Sequence, residues 1–295
     1  APHLLGEDPR QIDRVNLLMD TVLKGHPHAK SAIDVALHDI LGKTTGLPVT
    51  HLLGGRFGEA VTLYRAIGQR DPEGMAESVR RHRADGYRRF QLKVGGDAAT
   101  DIARIRACRA VLAPGDVLVA DANTGWLAAD ALRVVAGVAD LDVVIEQPCA
   151  SYEGCLTVRE KTALPFVLDE TIDGLEPLLR AHRDRAADIV NIKISKIGGL
   201  SKARRIRDLC VAFGIAMTIE DSWGGDVATA AIAHLAHATP ERFRFSSTDF
   251  NGYVDRPFAD GAPRRTGGTM AASEAPGLGV SVREDVLGAP VHAFG

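Results

Sequence analysis

Charged side chains end a series of short apolar runs, and their types suit proton transfer beside a divalent cation. Asp121, Glu146 and Asp169 end or directly follow three consecutive runs, and Lys93 and Lys193 end an earlier and a later one. Three carboxylates set side by side repel one another unless a cation lies between them. Oxygen-only ligation of this kind suits Mg²⁺, with water and substrate oxygens completing an octahedron.

The two lysines carry the acid–base part of this hypothesis. Lys93 and Lys193 end the second and the sixth of eight runs, so a closed barrel places them on opposite sides of the carboxylates. From there they would face the two sides of one substrate carbon. Ammonium groups near each other and near Mg²⁺ should have a lowered pKa, which leaves one lysine neutral and basic near pH 7. Taken singly, each is more often a solvated charge or an ion-pair partner.

Other polar residues stand near these positions and are candidates for supporting roles. A single acidic residue after a strand is more often the cap of the next helix, and hydrogen bonding at the barrel end explains most of them as well as catalysis does. Trp223 lies in a glycine-rich loop, where its indole either meets a substrate ammonium by a cation–π contact or plugs the loop against the barrel. The substrate-binding or auxiliary candidates are Gln91, Asn123, Glu170, Lys196, Asp221, Trp223 and Asp249.

The elements that position these residues repeat along the chain. Eight short apolar or β-branched runs between Val61 and Ser247 begin 22 to 28 residues apart, and apolar residues at helical spacing fill the gaps. Strands that alternate with helices predict a parallel sheet. Eight such units close a (β/α)₈ barrel, whose active site lies at the C-terminal ends of the strands. We therefore predict an α/β fold with a barrel over residues 58–250.

Both ends of the chain depart from this repeat. Between Lys30 and Gly46, apolar residues at i, i+3 and i+4 spacing predict an amphipathic helix that packs on its apolar side. Residues 251–295 are rich in glycine and proline, with one strand-like run from Gly279 to Val282. We expect residues 1–57 to form part of a helical capping domain with its linker, and residues 251–295 to return to that domain.

Composition excludes several classes of function. The chain has 295 residues, of which 45% are hydrophobic and 25% charged, with a net charge of −3, which is typical of a folded globular protein. No block of lysine or arginine marks a nucleic-acid or anionic-membrane surface, and no apolar run reaches the ~20 residues of a membrane span. The four cysteines lack CxxC spacing. We expect a cytoplasmic protein that acts on a small molecule.

Five motifs resemble the mandelate racemase and muconate lactonizing branch of the enolase superfamily. SAIDVALHDILGKTTGLPVTHLLGG, from residue 31, is similar to the capping-domain helix and the linker to the barrel. DAN from residue 121, EQP from 146, DE from 169 and NIKISKIGG from 191 are similar to the metal and lysine motifs of that branch. Five motifs in one order and at a common spacing make the resemblance specific.

The resemblance implies a barrel of the (β/α)₇β variant with a partial α+β capping domain, and chemistry that begins with removal of a proton α to a carboxylate. It implies one divalent ion, usually Mg²⁺ with Mn²⁺ as the alternative, bound by Asp121, Glu146 and Asp169 and stabilising the enediolate. Lys93 and Lys193 would be the acid–base residues. Such enzymes are commonly homo-oligomers. The resemblance also implies that the first strands of the capping domain are missing from the chain.

Departures from the family pattern narrow the substrate. Gln91 stands where many relatives have the first lysine of Lys-x-Lys, and IEDSWGGD ends the seventh strand without the histidine of a Lys/His mechanism. Lysines on both faces are the pattern of epimerases and of some dehydratases. FQLKVGGD, IEQPCASYEGC and IEDSWGGD look most like members that act on proline derivatives. A cis-3-hydroxy-L-proline dehydratase is therefore implied, with an epimerase of proline betaine or hydroxyproline betaine as the alternative.

Two further hypotheses stay open at this stage. A dipeptide or N-acylamino acid epimerase shares the two lysines, although its acidic recognition motif is matched only by Asp249-Phe250-Asn251. A barrel that has lost its chemistry and serves as a binding or structural protein is compatible with the fold. The presence of all three carboxylates and both lysines speaks against that last hypothesis.

Overall fold

An eight-stranded parallel sheet forms the centre of the computed structural model, which describes residues 2–293. The strands lie in the sheet in chain order, and a single parallel bridge between Leu63 and Ser247 joins its last edge to its first, so the barrel is nearly closed. The barrel strands are β1 (Tyr64–Ile67), β2 (Arg89–Lys93), β3 (Val117–Asp121), β4 (Val144–Glu146), β5 (Phe166–Leu168), β6 (Ile189–Lys193), β7 (Ala216–Glu220) and β8 (Arg244–Ser247).

Helices cover the outside of the barrel and form the N-terminal part of the chain. The helices are α1 (Ile12–Val22), α2 (Pro27–Thr45), α3 (Val49–Leu52), α4 (Pro72–Ala84), α5 (Ala98–Ala110), α6 (Ala128–Gly137), α7 (Tyr152–Arg159), α8 (Leu175–Asp184), α9 (Ile194–Ile197), α10 (Leu200–Phe213), α11 (Asp226–His237) and α12 (Glu284–Leu287). The apolar sides of the helices around the barrel pack on the outward side chains of the strands and make one continuous core, whereas α1 and α2 share a small separate cluster. The predicted alternation of strands and helices is confirmed.

The inward side chains of the barrel are apolar at one end and polar at the other. Val119, Val144, Val167 and Ile189 form a separate buried cluster inside the barrel. Successive strand residues point to opposite faces, so the next inward residue along β3 is Asp121, two positions after Val119. The same alternation places Glu146 two positions after Val144 in β4 and Lys193 four positions after Ile189 in β6, so the apolar cluster is followed by charged residues in these strands.

The predicted amphipathic helix is present as α2, and its predicted apolar side is buried only in part: Leu37 packs in a small core cluster with α1. Ile40 is 40% exposed, whereas the polar side chains of Asp34 and His38 are buried. Asp34 accepts hydrogen bonds from the backbone N–H of Ser201, at 3.1 Å, and from the side chain of Asn16, at 2.6 Å. The helix therefore docks on the start of α10 through a buried polar contact, which apolar spacing does not report.

The C-terminal segment pairs within itself, with the residues just before β1 and with the residue just before α3. Ser281–Val282, in the run predicted as a strand, pairs antiparallel with Ala259–Asp260. Thr269–Met270 pairs antiparallel with Val61–Thr62, which is thereby separated from barrel strand β1. Gly277 bridges to Pro48 just before α3, so the segment also contacts the N-terminal helices.

Candidate active site

A cavity of about 150 Å³ opens at the C-terminal ends of the barrel strands. A site of this size suits a small molecule, because pockets for drug-sized ligands are typically about 300 Å³ or larger. Seven of the predicted residues line it: Gln91, Lys93, Asp121, Asp169, Lys193, Asp221 and Trp223. The cavity is also lined by residues that the sequence did not identify as candidates: Tyr64, Ala66, Glu220, Ser222, Thr248, Phe250 and Tyr253.

Each predicted lysine forms an ion pair with a predicted metal ligand. Lys93 Nζ lies 2.5 Å from Asp121 Oδ2, and Lys193 Nζ lies 2.5 Å from Asp169 Oδ2. Lys196 also contacts Asp169, with its Nζ 2.9 Å from Oδ1. Strands β2 and β6 are four strands apart in the order of an eight-stranded sheet, so the two lysines enter the cavity from opposite sides.

Glu146 is held by amide groups instead of by a lysine. Gln91 Nε2 donates to both of its carboxylate oxygens at 3.1 Å, and Asn191 Nδ2 donates to Oε1 at 2.6 Å. In the parallel pairing of β3 with β4, Glu146 lies opposite Asp121. Gln91, which replaces a lysine in the family pattern, thus supports a carboxylate without adding a charge.

Sequence reasoning missed the pair formed by Tyr64 and Glu220. The hydroxyl of Tyr64 donates to Glu220 Oε2, and Glu220 Oε1 lies 3.7 Å from Lys193 Nζ. Asn191 donates to Glu220 as well as to Glu146, at 3.2 Å from Oε1, and so links two buried carboxylates. Inward alternation along β1 and β7 could have identified both members of the pair, since Tyr64 and Glu220 occupy inward positions of their strands.

Asp221 and Trp223 follow β7 and line the cavity from one loop. Asp221 Oδ1 accepts from the backbone N–H of Ser195, at 2.9 Å, and of Ser222, at 2.7 Å. The indole of Trp223 is 63% exposed and packs at ring-centroid distances of 5.4 Å from Phe250 and 6.2 Å from Tyr253. The aromatic side chains form one wall of the cavity, with the indole exposed enough to contact a ligand.

Three of the auxiliary candidates lie beside the cavity, and one lies apart from it. Asn123 Nδ2 donates to Glu170 Oε1 at 3.1 Å, next to Asp169. Asp249 does not line the cavity: its Oδ2 lies 3.6 Å from the guanidinium of Arg265. Its side chain is buried beside Arg265 and the hydroxyl of Tyr87, so the structure gives Asp249 an ion pair in place of the predicted contact with substrate.

The carboxylates at this end of the barrel are destabilised as anions by burial and by one another. Burial, and then the charges of Asp121 and Asp169, raise the pKa of Glu146 well above its usual range. Burial also raises the pKa of Asp121 despite Lys93. For Asp169, burial acts in the same direction, but the adjacent lysines outweigh it and the pKa is lowered. Burial raises the pKa of Glu220 to about 7.

The carboxylates around both lysines act on their pKa in the direction opposite to the lowering predicted near Mg²⁺. Burial acts to lower the pKa of Lys93, but Asp121 and Glu146 outweigh it, so the pKa is raised. The pKa of Lys193 is raised because Glu220 and Asp169 outweigh its burial. Lys93 and Lys193 are thus counter-ions of Asp121 and Asp169, and Asp169 has Lys196 as a second counter-ion.

The donor set fits a divalent ion, although the side chains are turned toward other partners. Among residues 2–293, no three His, Cys, Asp or Glu side chains stand in an arrangement that could hold a metal ion. Asp121, Glu146 and Asp169 nevertheless bring three carboxylates to the ends of neighbouring strands, and carboxylate oxygens are the ligands that Mg²⁺ prefers. Glu170 Oε2 is buried beside them and has no hydrogen-bond partner within the described residues. An unpaired acceptor among mutually repelling carboxylates is what a cation would compensate.

Two family models match the chain. Residues 1–54 match the N-terminal domain of mandelate racemase and muconate lactonizing enzyme, and residues 74–286 match the enolase C-terminal domain-like model. The chain belongs to the mandelate racemase and muconate lactonizing enzyme branch of the enolase superfamily. This enolase-superfamily enzyme is 57% identical to the cis-3-hydroxy-L-proline dehydratase of Roseibium aggregatum, over 100% of this chain and 80% of the relative.

Solved structures agree with this membership. A mandelate racemase/muconate lactonizing enzyme from Roseovarius nubinhibens ISM superposes with a TM-score of 0.94 at 47% identity, over 99% of this chain and 81% of that one. A second enzyme from the same organism, complexed with magnesium, superposes with a TM-score of 0.96 at 39% identity, over 100% of this chain and 83% of that one. In the described part of the enolase-superfamily chain, no helix is both long and apolar enough to cross a membrane.

Proposed function

We propose that this enzyme dehydrates cis-3-hydroxy-L-proline, by removing the α-proton and eliminating the 3-hydroxyl group. The observation that carries the proposal is the pair of lysines, Lys93 and Lys193, that line one small cavity from strands on opposite sides of the barrel. The 57% identity with a dehydratase of that substrate, over the whole of this chain, supports the choice of substrate and reaction.

The stereochemistry of the substrate suits two opposed lysines. In the cis isomer the hydroxyl and the carboxylate lie on one face of the ring, so the α-proton lies on the other face. One lysine takes the α-proton as the C2–C3 double bond forms, and the opposite lysine protonates the oxygen that leaves C3. Overall, the reaction removes one molecule of water from the substrate. The product is a cyclic enamine, which tautomerises to an imine.

We propose Asp121, Glu146 and Asp169 as ligands of one Mg²⁺, with Mn²⁺ as the alternative. When bound, the ion would offset the negative charge that builds on the substrate carboxylate as the α-proton leaves. The Roseovarius relative complexed with magnesium supports this assignment. Once Asp121 and Asp169 share their charge with a cation, they hold the ammonium form of Lys93 and Lys193 less strongly, which favours a neutral base.

The remaining candidates are proposed to support these groups. Gln91 would fix the carboxylate of Glu146, and Lys196 would fix that of Asp169. Asn123 would orient Glu170 at the same rim. The exposed indole of Trp223 would cover the substrate ring and its ammonium, a cation–π contact worth about 0.5–2 kcal/mol.

Incubation in D₂O tests the proposal. Purified enzyme with Mg²⁺ should consume cis-3-hydroxy-L-proline and form the cyclic imine, which mass spectrometry detects as the loss of one water. Lys93→Met and Lys193→Met variants should each lose dehydration. If neither α-proton exchange nor loss of substrate occurs across a panel of proline derivatives, the proposed function is wrong.

Epimerisation is the second candidate, because the same two lysines would serve it. The lysine on the second face would then return a proton to the α-carbon instead of protonating a leaving oxygen. In D₂O this reaction gives an inverted, α-deuterated substrate and no loss of water. Proline betaine and hydroxyproline betaine are the substrates with which to test it.

We propose the same division into a capping domain and a barrel that the sequence predicts. Residues 1–57 and 251–295 would form one capping layer around the barrel of residues 58–250, supported by hydrogen bonds that Gly277 makes with Leu47 and Val49.

Light scattering of the purified enzyme tests the proposed homo-oligomer. Fractionation of the producing cells tests the proposed cytoplasmic location.

A further inference from the structure

The carboxylate of Asp221 differs from the other acidic groups of the cavity in having no cationic partner. Asp121 and Asp169 each contact a lysine at 2.5 Å, and Glu220 lies 3.7 Å from Lys193. Within residues 2–293, no lysine, arginine or histidine forms an ion pair with Asp221. A carboxylate that lines a cavity without a counter-ion is suited to bind a cation on the ligand.

The two carboxylate oxygens of Asp221 differ in the hydrogen bonds that they accept. Oδ1 accepts from the backbone N–H groups of Ser195 and Ser222 and from the hydroxyl of Ser195. Oδ2 accepts no hydrogen bond from the described residues. The three donors fix the plane of the carboxylate on the rigid ends of β6 and β7, and they leave one oxygen for a partner in the cavity.

Resting on the proposed function, we infer that Asp221 binds the protonated ring nitrogen of the substrate and selects for an amine that carries N–H groups. The nitrogen is bonded to the α-carbon, so a group that fixes it also fixes the carbon between Lys93 and Lys193. A quaternary betaine nitrogen has no N–H to donate, and an acylated nitrogen has no positive charge. Asp221 therefore favours a free secondary amine over both.

The Asp221→Asn variant separates binding of the substrate nitrogen by Oδ2 from the hydrogen bonds with which Oδ1 supports the loop. The two backbone N–H groups orient the amide oxygen of the variant into the place of Oδ1, so that only the free oxygen is replaced, by an NH₂ group. Ser195→Ala is the matched control, because it removes one donor to Oδ1 and leaves Oδ2 unchanged. Circular dichroism and thermal unfolding check that both variants are folded.

The experiment compares an amine with its ring-oxygen analogue. For wild-type and variant enzymes, kcat/KM is measured with cis-3-hydroxy-L-proline and with cis-3-hydroxytetrahydrofuran-2-carboxylate. Binding of L-proline and tetrahydrofuran-2-carboxylate is measured by calorimetry. A charge-assisted hydrogen bond is worth about 1.5–3 kcal/mol, so Asp221→Asn should reduce the preference for the amine by about 10- to 100-fold. Ser195→Ala should retain the preference.

Equal weakening of both ligands by Asp221→Asn, or no change in the preference, would overturn the inference and leave Asp221 as a loop support. Failure of the proposed function gives a different result, since wild-type enzyme would then not dehydrate the hydroxyproline. The calorimetric preference for L-proline over the ring-oxygen analogue would still report on Asp221 in that case.

Discussion

Gln147 Oε1 accepts a hydrogen bond of 2.9 Å from the backbone N–H of Asp169. Gln147 is completely buried, and its φ of 34° lies in the left-handed region that side chains other than glycine rarely adopt. Its Nε2 donates to the backbone carbonyl of Cys149 at 3.1 Å. The side chain of Gln147 thus connects the end of β4 to Asp169, the residue that follows β5.

Gln147→Leu should weaken Mg²⁺ binding because it removes the acceptor that positions Asp169. Loss of a group that orients a metal ligand typically costs about 10- to 100-fold in affinity. Calorimetric titration of EDTA-treated enzyme with Mg²⁺ measures the change. Thr171→Val is the matched control, since it removes only the hydroxyl that also donates to Gln147 Oε1. Unchanged Mg²⁺ affinity in Gln147→Leu would contradict the positioning role.

Mg²⁺ should reverse the effect of Glu146→Gln on stability. Without metal, the variant should be more stable than wild type by about 0.5–2 kcal/mol, because it removes a carboxyl group whose anion is destabilised by burial and by Asp121 and Asp169. With Mg²⁺ at 100 times its Kd, wild type should gain about 2.7 kcal/mol, and the variant should gain less. Thermal unfolding in EDTA and in Mg²⁺ measures both differences. Asp221→Asn, which changes no proposed ligand, should retain the wild-type gain.

The strand ends were predictable because their signals are local. Alternation and the repeat of 22 to 28 residues locate Asp121, Glu146 and Lys193 at the ends of strands without any knowledge of packing. Chain order in a parallel barrel then brings these strand ends together. Neighbouring strands of one sheet supply the carboxylates, and strands four apart supply the lysines.

Contacts between distant segments were not predictable in the same way. Asp249 is paired with Arg265 of the irregular C-terminal segment, so strand position alone suggests a substrate contact that the fold does not provide. The packing side of α2 depends on Asp34, whose partner Ser201 lies 167 residues along the chain. The charge state of the lysines depends on the balance between burial and neighbouring carboxylates, which spacing does not measure.

Removing each lysine in turn should separate proton removal from elimination. The variant that lacks the base should lose both α-proton exchange in D₂O and dehydration, by about 10²–10⁴-fold. The variant that lacks the acid should lose dehydration and retain exchange. NMR of the α-proton in Lys93→Met and Lys193→Met identifies which is which. Full exchange in both variants would show that neither lysine is the base.

His234 should contribute a loss of stability as the pH decreases from about 6.5 to about 4. Burial lowers the pKa of His234 from 6.5 to about 4. Its Nδ1 accepts from the backbone N–H of Thr50 at 3.1 Å, and its Nε2 faces the carbonyl of Leu278 at 3.1 Å, so the partners require the neutral form with the proton on Nε2.

The direction of this pH effect depends on which state of the protein, folded or unfolded, binds the proton of His234 more tightly. The unfolded chain takes up a proton on His234 near pH 6.5 and the folded protein only near pH 4, so each step of acidification between these values favours unfolding. The full contribution of His234 corresponds to about 3 kcal/mol. Urea unfolding of EDTA-treated protein at pH 7.5, 6 and 5 measures the part that develops above pH 5. The stability difference between wild type and His234→Gln should narrow as the pH falls, whereas the difference between wild type and His3→Gln, at an exposed position, should stay constant. A difference between wild type and His234→Gln that does not change with pH would contradict the assignment to His234.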